Sequence, residues 1–91
     1  MNNEILEGVK NVIEEIVHRN YIDFDQQITK DMALREDIGL DSIDLVVLQI
    51  EIEDRWNMRF DPLEDDFSRI FHSADSLCKY LELRIGEKNG S

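Results

Sequence analysis

The stretch of this sequence best suited to chemistry is Gly39-Leu40-Asp41-Ser42-Ile43-Asp44. It places a serine hydroxyl at the start of a predicted helix and flanks it with two carboxylates. The first turn of a helix has unpaired N–H groups and the positive end of the helix dipole, which favour a phosphodiester on Ser42. Gly39 lets the chain turn tightly into that helix. A plain capped helix start would carry the same residue types, so the motif leaves both interpretations open.

Apolar residues at helical spacing predict four helices, and no run alternates clearly enough to indicate a strand. The first helix covers residues 3–18 and the second residues 42–56. A short third helix covers residues 62–71, and the fourth covers residues 74–86, ending at Gly86. Helices of this length and spacing are typical of a small bundle.

Residues with capping propensity mark two of the helix starts. Asp41 and Asp44 are spaced as a capping box at the second helix. Asp61 is placed to cap the third helix, with Pro62 at its first position and Glu64 at its third.

A long connection, residues 19–40, joins the first two helices. Its scattered apolar residues predict that it is pinned to the core, since long structureless loops are uncommon. The expected fold class is therefore all-α: a small helical bundle of three main helices plus one short helix, with a long loop between helices 1 and 2. Residues 1–86 are expected to form a single domain and residues 87–91 a polar C-terminal tail.

The second helix has two apolar stripes rather than one. The first stripe contains Leu45, Leu48, Ile52 and Trp56. The second stripe contains Ile43, Val46, Val47 and Ile50. One stripe serves one core, so the second stripe needs another neighbour: a second core face, a pocket or a partner.

Charge restricts the possible partners. The chain has 21 acidic and 10 basic residues, a net charge of −11, and residues 36–66 hold 11 acids against Arg55 and Arg59. Such a surface repels nucleic acid and anionic membranes and complements a basic protein, unless it is simply a solvated face. No apolar run is long enough to span a membrane, and the N-terminus lacks a basic leader. Cys78 has no partner for a disulfide. The cytoplasm is the expected location.

A catalytic or metal-binding function finds little support. Ser42 could act as a nucleophile only with His18 or His72 as its base, and the sequence has no G-x-S-x-G turn. The acids at residues 64–66 lack the spacing and the glycine of a calcium-binding loop. Neither an enzyme nor a metal site is expected.

The motif from Gly39 to Asp44 resembles the phosphopantetheine attachment motif of acyl carrier proteins. The order and lengths of the predicted helices resemble that family over most of the chain. The resemblance implies that a phosphopantetheinyl transferase attaches 4′-phosphopantetheine from coenzyme A to Ser42. The arm would hold acyl groups as thioesters for fatty-acid, polyketide or related biosynthesis. The protein would be a monomer that serves acyl-transfer, condensing or acyl-activating enzymes with basic docking patches.

The resemblance also assigns residues around the attachment site. An acyl cavity, for which ordinary core packing is an equally compatible interpretation, would be surrounded by Leu34, Val46, Ile50, Phe60, Phe71 and Leu77. Partners would dock on acids and on the second stripe, namely Asp41, Ile43, Asp44, Val46, Val47, Ile50, Glu53 and Asp54.

Three departures favour a specialised carrier over a housekeeping fatty-acid carrier. Val47 stands where housekeeping carriers commonly have an acid, Trp56 stands where they have Phe, and residues 61–71 form a longer segment. Two alternatives stay open: an aminoacyl or peptidyl carrier, and a small acidic helical interaction module without a prosthetic group.

Overall fold

A computed structural model describes residues 3–63 and 66–88. In that part of the chain the elements are α1 (Asn3–Arg19), a π-helical turn (Leu34–Ile38), α2 (Ser42–Trp56), α3 (Phe67–Ile70) and α4 (Ala74–Lys88). α1 packs against both α2 and α4, and α3 packs against α4. The predicted bundle of three main helices and one short helix, with a long connection between the first two, is confirmed.

The core is formed where the apolar faces of the long helices meet. The apolar face of α1 is buried, with Val9, Ile13 and Ile16 fully removed from solvent. From α4, Leu77 and Leu81 are also fully buried. Burying side chains of this size is the main term that stabilises the bundle, because each contributes about 1.5–3 kcal/mol relative to exposure.

The long connection between α1 and α2 is pinned to the core, as predicted. Its buried apolar residues are Ile28, Leu34, Ile38 and Leu40. Backbone hydrogen bonds also tie it to the start of α4: Leu34 N–H donates to the His72 carbonyl at 2.8 Å, and Asp75 N–H donates to the Lys30 carbonyl at 3.0 Å. The connection therefore places residues 34–41 in a fixed position before α2.

The π-helical turn ends at Gly39, which explains the glycine of the motif. Gly39 has φ 98° and ψ 22°, a left-handed conformation that side chains disfavour. Its N–H donates to the Leu34 carbonyl at 3.1 Å, which closes the turn. The chain can then reverse into α2, which begins three residues later.

The predicted third helix is wrong at its start. α3 begins at Phe67, with the carboxylate of Asp66 as its cap. Asp61 instead accepts a hydrogen bond from Leu63 N–H at 2.9 Å in a local turn. Leu63 is almost fully exposed, so no burial holds a helix there. The predicted role of Glu64 lies outside the described residues.

The end of the fourth helix also differs from the prediction. α4 continues through Gly86 to Lys88, so Gly86 is not its C-terminal cap. α1 likewise runs one residue further than predicted, to Arg19. Helix ends depend on local hydrogen bonding more than on apolar spacing, which explains errors of this size. Residues 89–91 of the predicted tail lie outside the described part.

Candidate functional site

Ser42 is the first residue of α2, and its side chain is exposed. The predicted capping box surrounds it: Asp44 N–H donates to Asp41 Oδ1 at 2.9 Å, and Asp41 N–H donates to Asp44 Oδ2 at 3.1 Å. Across residues 3–63 and 66–88, the Ser42 hydroxyl has no hydrogen-bond partner. The turn is therefore held by its neighbours, and the hydroxyl is accessible to another molecule.

The carboxylate of Asp41 keeps a negative charge beside Ser42. The hydrogen bond from the backbone N–H of Asp44 lowers the pKa of Asp41, and the positive charge of Arg35 acts in the same direction. Asp41 is therefore ionised throughout the physiological range.

A groove of about 380 Å³ opens beside Ser42, between the π-helical turn, α2 and the segment from α3 to His72. Its size falls within the usual range for small-molecule sites. The polar side of its lining is Arg35, Glu36, Ser42, Gln49, Ser68 and His72, and the apolar side is Leu45, Val46, Phe67 and Phe71. Such a surface could bind a flexible molecule that has both amide and methyl groups, through hydrogen bonds and apolar contacts.

The residues predicted to surround an acyl cavity fall into three places. Val46 and Phe71 line the groove beside Ser42. The other buried members are Leu34, Phe60 and Leu77. The Phe60 ring packs against other aromatic rings: its centroid lies 5.1 Å from that of Phe71 and 5.2 Å from that of Tyr80. Ile50 is mostly exposed and does not line this groove, so its place in an acyl cavity stays a prediction.

The second apolar stripe of α2 lies on the protein surface. Ile43 is 72% exposed, Val46 52% and Ile50 56%. Val47 differs, because it is half-buried and packs against the core. The stripe thus has three residues, Ile43, Val46 and Ile50, with little cover from the described part of the chain. We call these three residues the outer face of α2.

The predicted docking acids are not equivalent. Asp41 and Asp54 are exposed. Glu53 is half-buried, and its carboxylate accepts the Phe60 N–H at 3.0 Å. Asp44 is only 8% exposed, because capping and a contact with Asn20 enclose it. The prediction that Asp44 presents charge to partners is therefore wrong: its carboxylate is occupied inside the chain.

Several site residues were missed by the sequence analysis. Arg35, Gln49 and Ser68 line the groove, and Asn20 donates a hydrogen bond to Asp44. His72 also lines the groove, although the sequence had suggested it only as a base for Ser42. Periodicity within α2 could have indicated Gln49, which lies two turns after Ser42. The others reach the site through the path of the connection and of α3, which apolar spacing does not specify.

Other chemistry finds no structural support in the described part. No cluster of three His, Cys, Asp or Glu side chains is arranged to hold a metal ion among residues 3–63 and 66–88. Within the same residues, no helix has the length and apolar character needed to cross a bilayer. Cys78 is buried as expected, and burial raises the pKa of its thiol, which disfavours the reactive thiolate.

Comparison with known proteins identifies the family. No family model matches the chain. Over 83 residues it is 31% identical to the acyl carrier protein of Thermotoga maritima, a match that covers 91% of this chain and 94% of the relative. It also resembles a solved structure from Mycobacterium tuberculosis, provisionally assigned as an acyl carrier protein, with a TM-score of 0.71 and 22% identity. That likeness in fold covers 88% of this chain and 97% of the other.

The chain therefore belongs to the acyl carrier protein family. Members of this family carry substrates for other enzymes and are not themselves catalysts, so the chain is a carrier and not an enzyme.

Proposed function

We propose that Ser42 carries a 4′-phosphopantetheine arm and that the protein presents acyl groups on it to the enzymes of a biosynthetic pathway. The observation that carries this proposal is the position of Ser42: exposed, unpartnered in the described chain, and first in a capped helix within the Gly39–Asp44 motif. When attached, the arm supplies the thiol on which acyl groups are held as thioesters.

The attachment reaction makes simple demands on this chain. The Ser42 oxygen forms a bond to the phosphopantetheine phosphorus of coenzyme A, the pyrophosphate bond breaks, and adenosine 3′,5′-bisphosphate leaves. The hydroxyl proton passes to a base on the transferase, because the described chain places none in hydrogen-bond contact with Ser42. The carrier only has to present the hydroxyl in a fixed turn.

The groove supports the proposal because its lining suits both ends of such an arm. Arg35 brings a positive charge to the wall next to Ser42, where the phosphodiester would lie. Gln49, Ser68 and His72 offer hydrogen-bonding groups for amides and hydroxyls. Val46 adds apolar surface beside them. These residues would hold the arm without a closed cavity.

We also propose a specialised rather than housekeeping pathway, and the structure changes which departures support it. Trp56 packs against Gly8 of α1, where an added Cβ would lie 2.8 Å from the indole ring. Its bulk is thus explained by helix packing and says nothing about cargo. The support that remains is Val47, which puts a methyl surface where an acid is common, and the longer segment at residues 61–71.

The proposed attachment is tested by the intact mass of the chain after incubation with coenzyme A and a broad-specificity phosphopantetheinyl transferase. A carrier gains the mass of one arm. An interaction module without a prosthetic group gains nothing, and that result would overturn the proposal. A chain that instead hydrolysed an activated ester through Ser42 would be an enzyme.

The specialised assignment is tested at Val47. Val47→Glu should improve acyl exchange with housekeeping fatty-acid enzymes, because it restores a carboxylate for their basic patches. Val47→Gln is the matched control, because glutamine is a polar side chain of the same size as glutamate and has no charge. Both variants also carry the same cost of replacing a half-buried valine. Equal exchange by the two variants would remove this support for specialisation.

A further inference from the structure

The carboxylate of Asp44 is held by a residue from the other side of the long connection. Asp44 is only 8% exposed, and a buried carboxylate is costly unless its oxygens are hydrogen-bonded. Oδ2 accepts the Asp41 N–H at 3.1 Å. Oδ1 accepts a hydrogen bond from Asn20 Nδ2 at 2.6 Å, across 24 residues of sequence. Bonds of this kind to a charged acceptor are stronger than neutral ones.

Asn20 follows the last residue of α1 and lies at its C-cap, where backbone hydrogen bonds of the helix end fix its position. Tyr21, which follows it, has φ 54°, a left-handed conformation that is rare for a bulky residue. Tyr21 is 93% exposed, and its N–H donates to the His18 carbonyl at 3.3 Å, as in a Schellman helix end. Ile22 N–H then donates to the Val17 carbonyl at 3.0 Å, which closes the turn.

Residues on both sides of Tyr21 meet the segment that carries Ser42. Asn20 contacts Asp44 on the α2 side of Ser42. Ile22 lies beside Gly39 on the other side, with its Cγ2 3.8 Å from where a Cβ on Gly39 would be. The end of α1 therefore contacts the segment that carries Ser42 at two points, one on each side of the serine.

We propose that Asn20 is a positioning residue for the modification of Ser42: through Asp44 it fixes the first turn of α2, so that the hydroxyl meets the transferase in one orientation. This inference rests on the proposed function. Asn20 does not touch Ser42, and its effect passes through the Asp44 carboxylate and the Asp41 backbone. A misplaced nucleophile loses rate even when binding is intact, because the reacting atoms must be closely aligned.

The test exchanges donor and acceptor between the two positions. Asn20→Asp places two carboxylates in contact, and Asp44→Asn places two amides in contact. The double variant restores one carboxylate and one amide, with the amide still able to accept the Asp41 N–H through its oxygen. Asn20→Ala removes the donor without adding charge. Asn11→Asp, on the exposed surface of α1, is the control for an added carboxylate.

Rates of arm attachment are measured by mass spectrometry with varied carrier concentration, on variants whose circular dichroism shows them folded. We expect kcat of attachment to fall about tenfold in Asn20→Asp and Asn20→Ala, with KM changing less. The deficit of Asn20→Asp alone should shrink as the pH is lowered, because the two carboxylates can then share a proton. The double variant should return close to the wild-type rate. The control Asn11→Asp should react at the wild-type rate.

The outcomes separate this inference from the function on which it rests. A wild-type chain that gains no arm overturns the proposed function. A modified wild type with Asn20 variants that react equally fast overturns the positioning role. Single variants that are slow without recovery in the double variant also overturn it, since the pairing of donor and acceptor would then not matter.

Discussion

The two faces of α2 carry the same kinds of apolar side chain, but one face is buried and the other is exposed. On the inner face, Leu48 and Ile52 are fully buried in the core where α2 packs against α1. On the outer face, Ile43, Val46 and Ile50 are mostly exposed. A chain with a net charge of −11 has many polar residues that could fill these positions. Burial of the inner face stabilises the fold, and we propose that the outer face, which that core does not use, is where partners bind.

The largest expected effect concerns stability on the inner face. Leu48→Ala should lower the free energy of unfolding by about 2–5 kcal/mol, because it leaves a cavity in a packed core. Ile50→Ala, the matched change on the outer face, should alter it by no more than about 0.5 kcal/mol. Denaturant unfolding of the three proteins measures both values. Equal losses at the two positions would mean that the outer face is also part of the core.

The next effect concerns recognition on the outer face. Ile50→Ala should lower kcat/KM for arm attachment about tenfold, mainly through faster dissociation of the transferase, because a central apolar anchor is lost. Leu83→Ala, at an exposed apolar position on α4, is the control and should leave kcat/KM unchanged. If the two variants lose activity equally, the outer face is not a distinct docking surface.

A smaller effect is expected from the charged rim of the same face. Asp54→Lys should slow attachment a few-fold at low ionic strength, and the deficit should shrink as salt is added, since exposed charges act through steering. Asp54 replaces Asp44 for this purpose, because Asp44 is buried and its substitution would disturb the turn itself. Asp25→Lys, in the connection, is the control. A deficit that persisted at high salt would point to a lost direct contact.

The smallest expected effect concerns the pH dependence of stability at the start of α2, where Asp41 caps the helix. The depressed pKa of Asp41 means that its ionised form stabilises the folded state. That contribution is present at neutral pH and is lost as the pH falls through the folded pKa, below about pH 4. Asp41→Asn keeps a capping oxygen without the charge. Its melting temperature should lie below that of the wild type at pH 7, and the difference should shrink as the pH falls into the range where Asp41 is protonated; a constant difference would contradict this.

Local patterns in the sequence predicted the long helices well. The bounds of α2 match the prediction, because apolar spacing and the Asp41 cap are properties of adjacent residues. The predicted start of the third helix was wrong for the converse reason. Its capping pattern is present, but Leu63 is exposed and no burial supports a helix there. The π-helical turn was also missed, since it depends on how the connection is pinned to α4.

The candidate site was predictable only in part. Ser42 and its flanking carboxylates followed from the motif, and their capping geometry is confirmed. The burial of Asp44 could not be foreseen, because it depends on Asn20, 24 residues earlier. The groove likewise joins Arg35 and His72 across α2 through tertiary packing. The residues of a surface that is assembled from separate segments can be identified only when the fold is known.

The central claim is that Ser42 alone carries the arm, and the most direct measurement is peptide mapping by tandem mass spectrometry after incubation with coenzyme A and the transferase. We expect one phosphopantetheine per chain, on the peptide containing Ser42. Ser42→Ala should gain none while keeping its helical circular dichroism. Ser68→Ala, which removes the other serine of the same groove, should be modified like the wild type. An unmodified wild type, or an arm found on Ser68, would contradict the account.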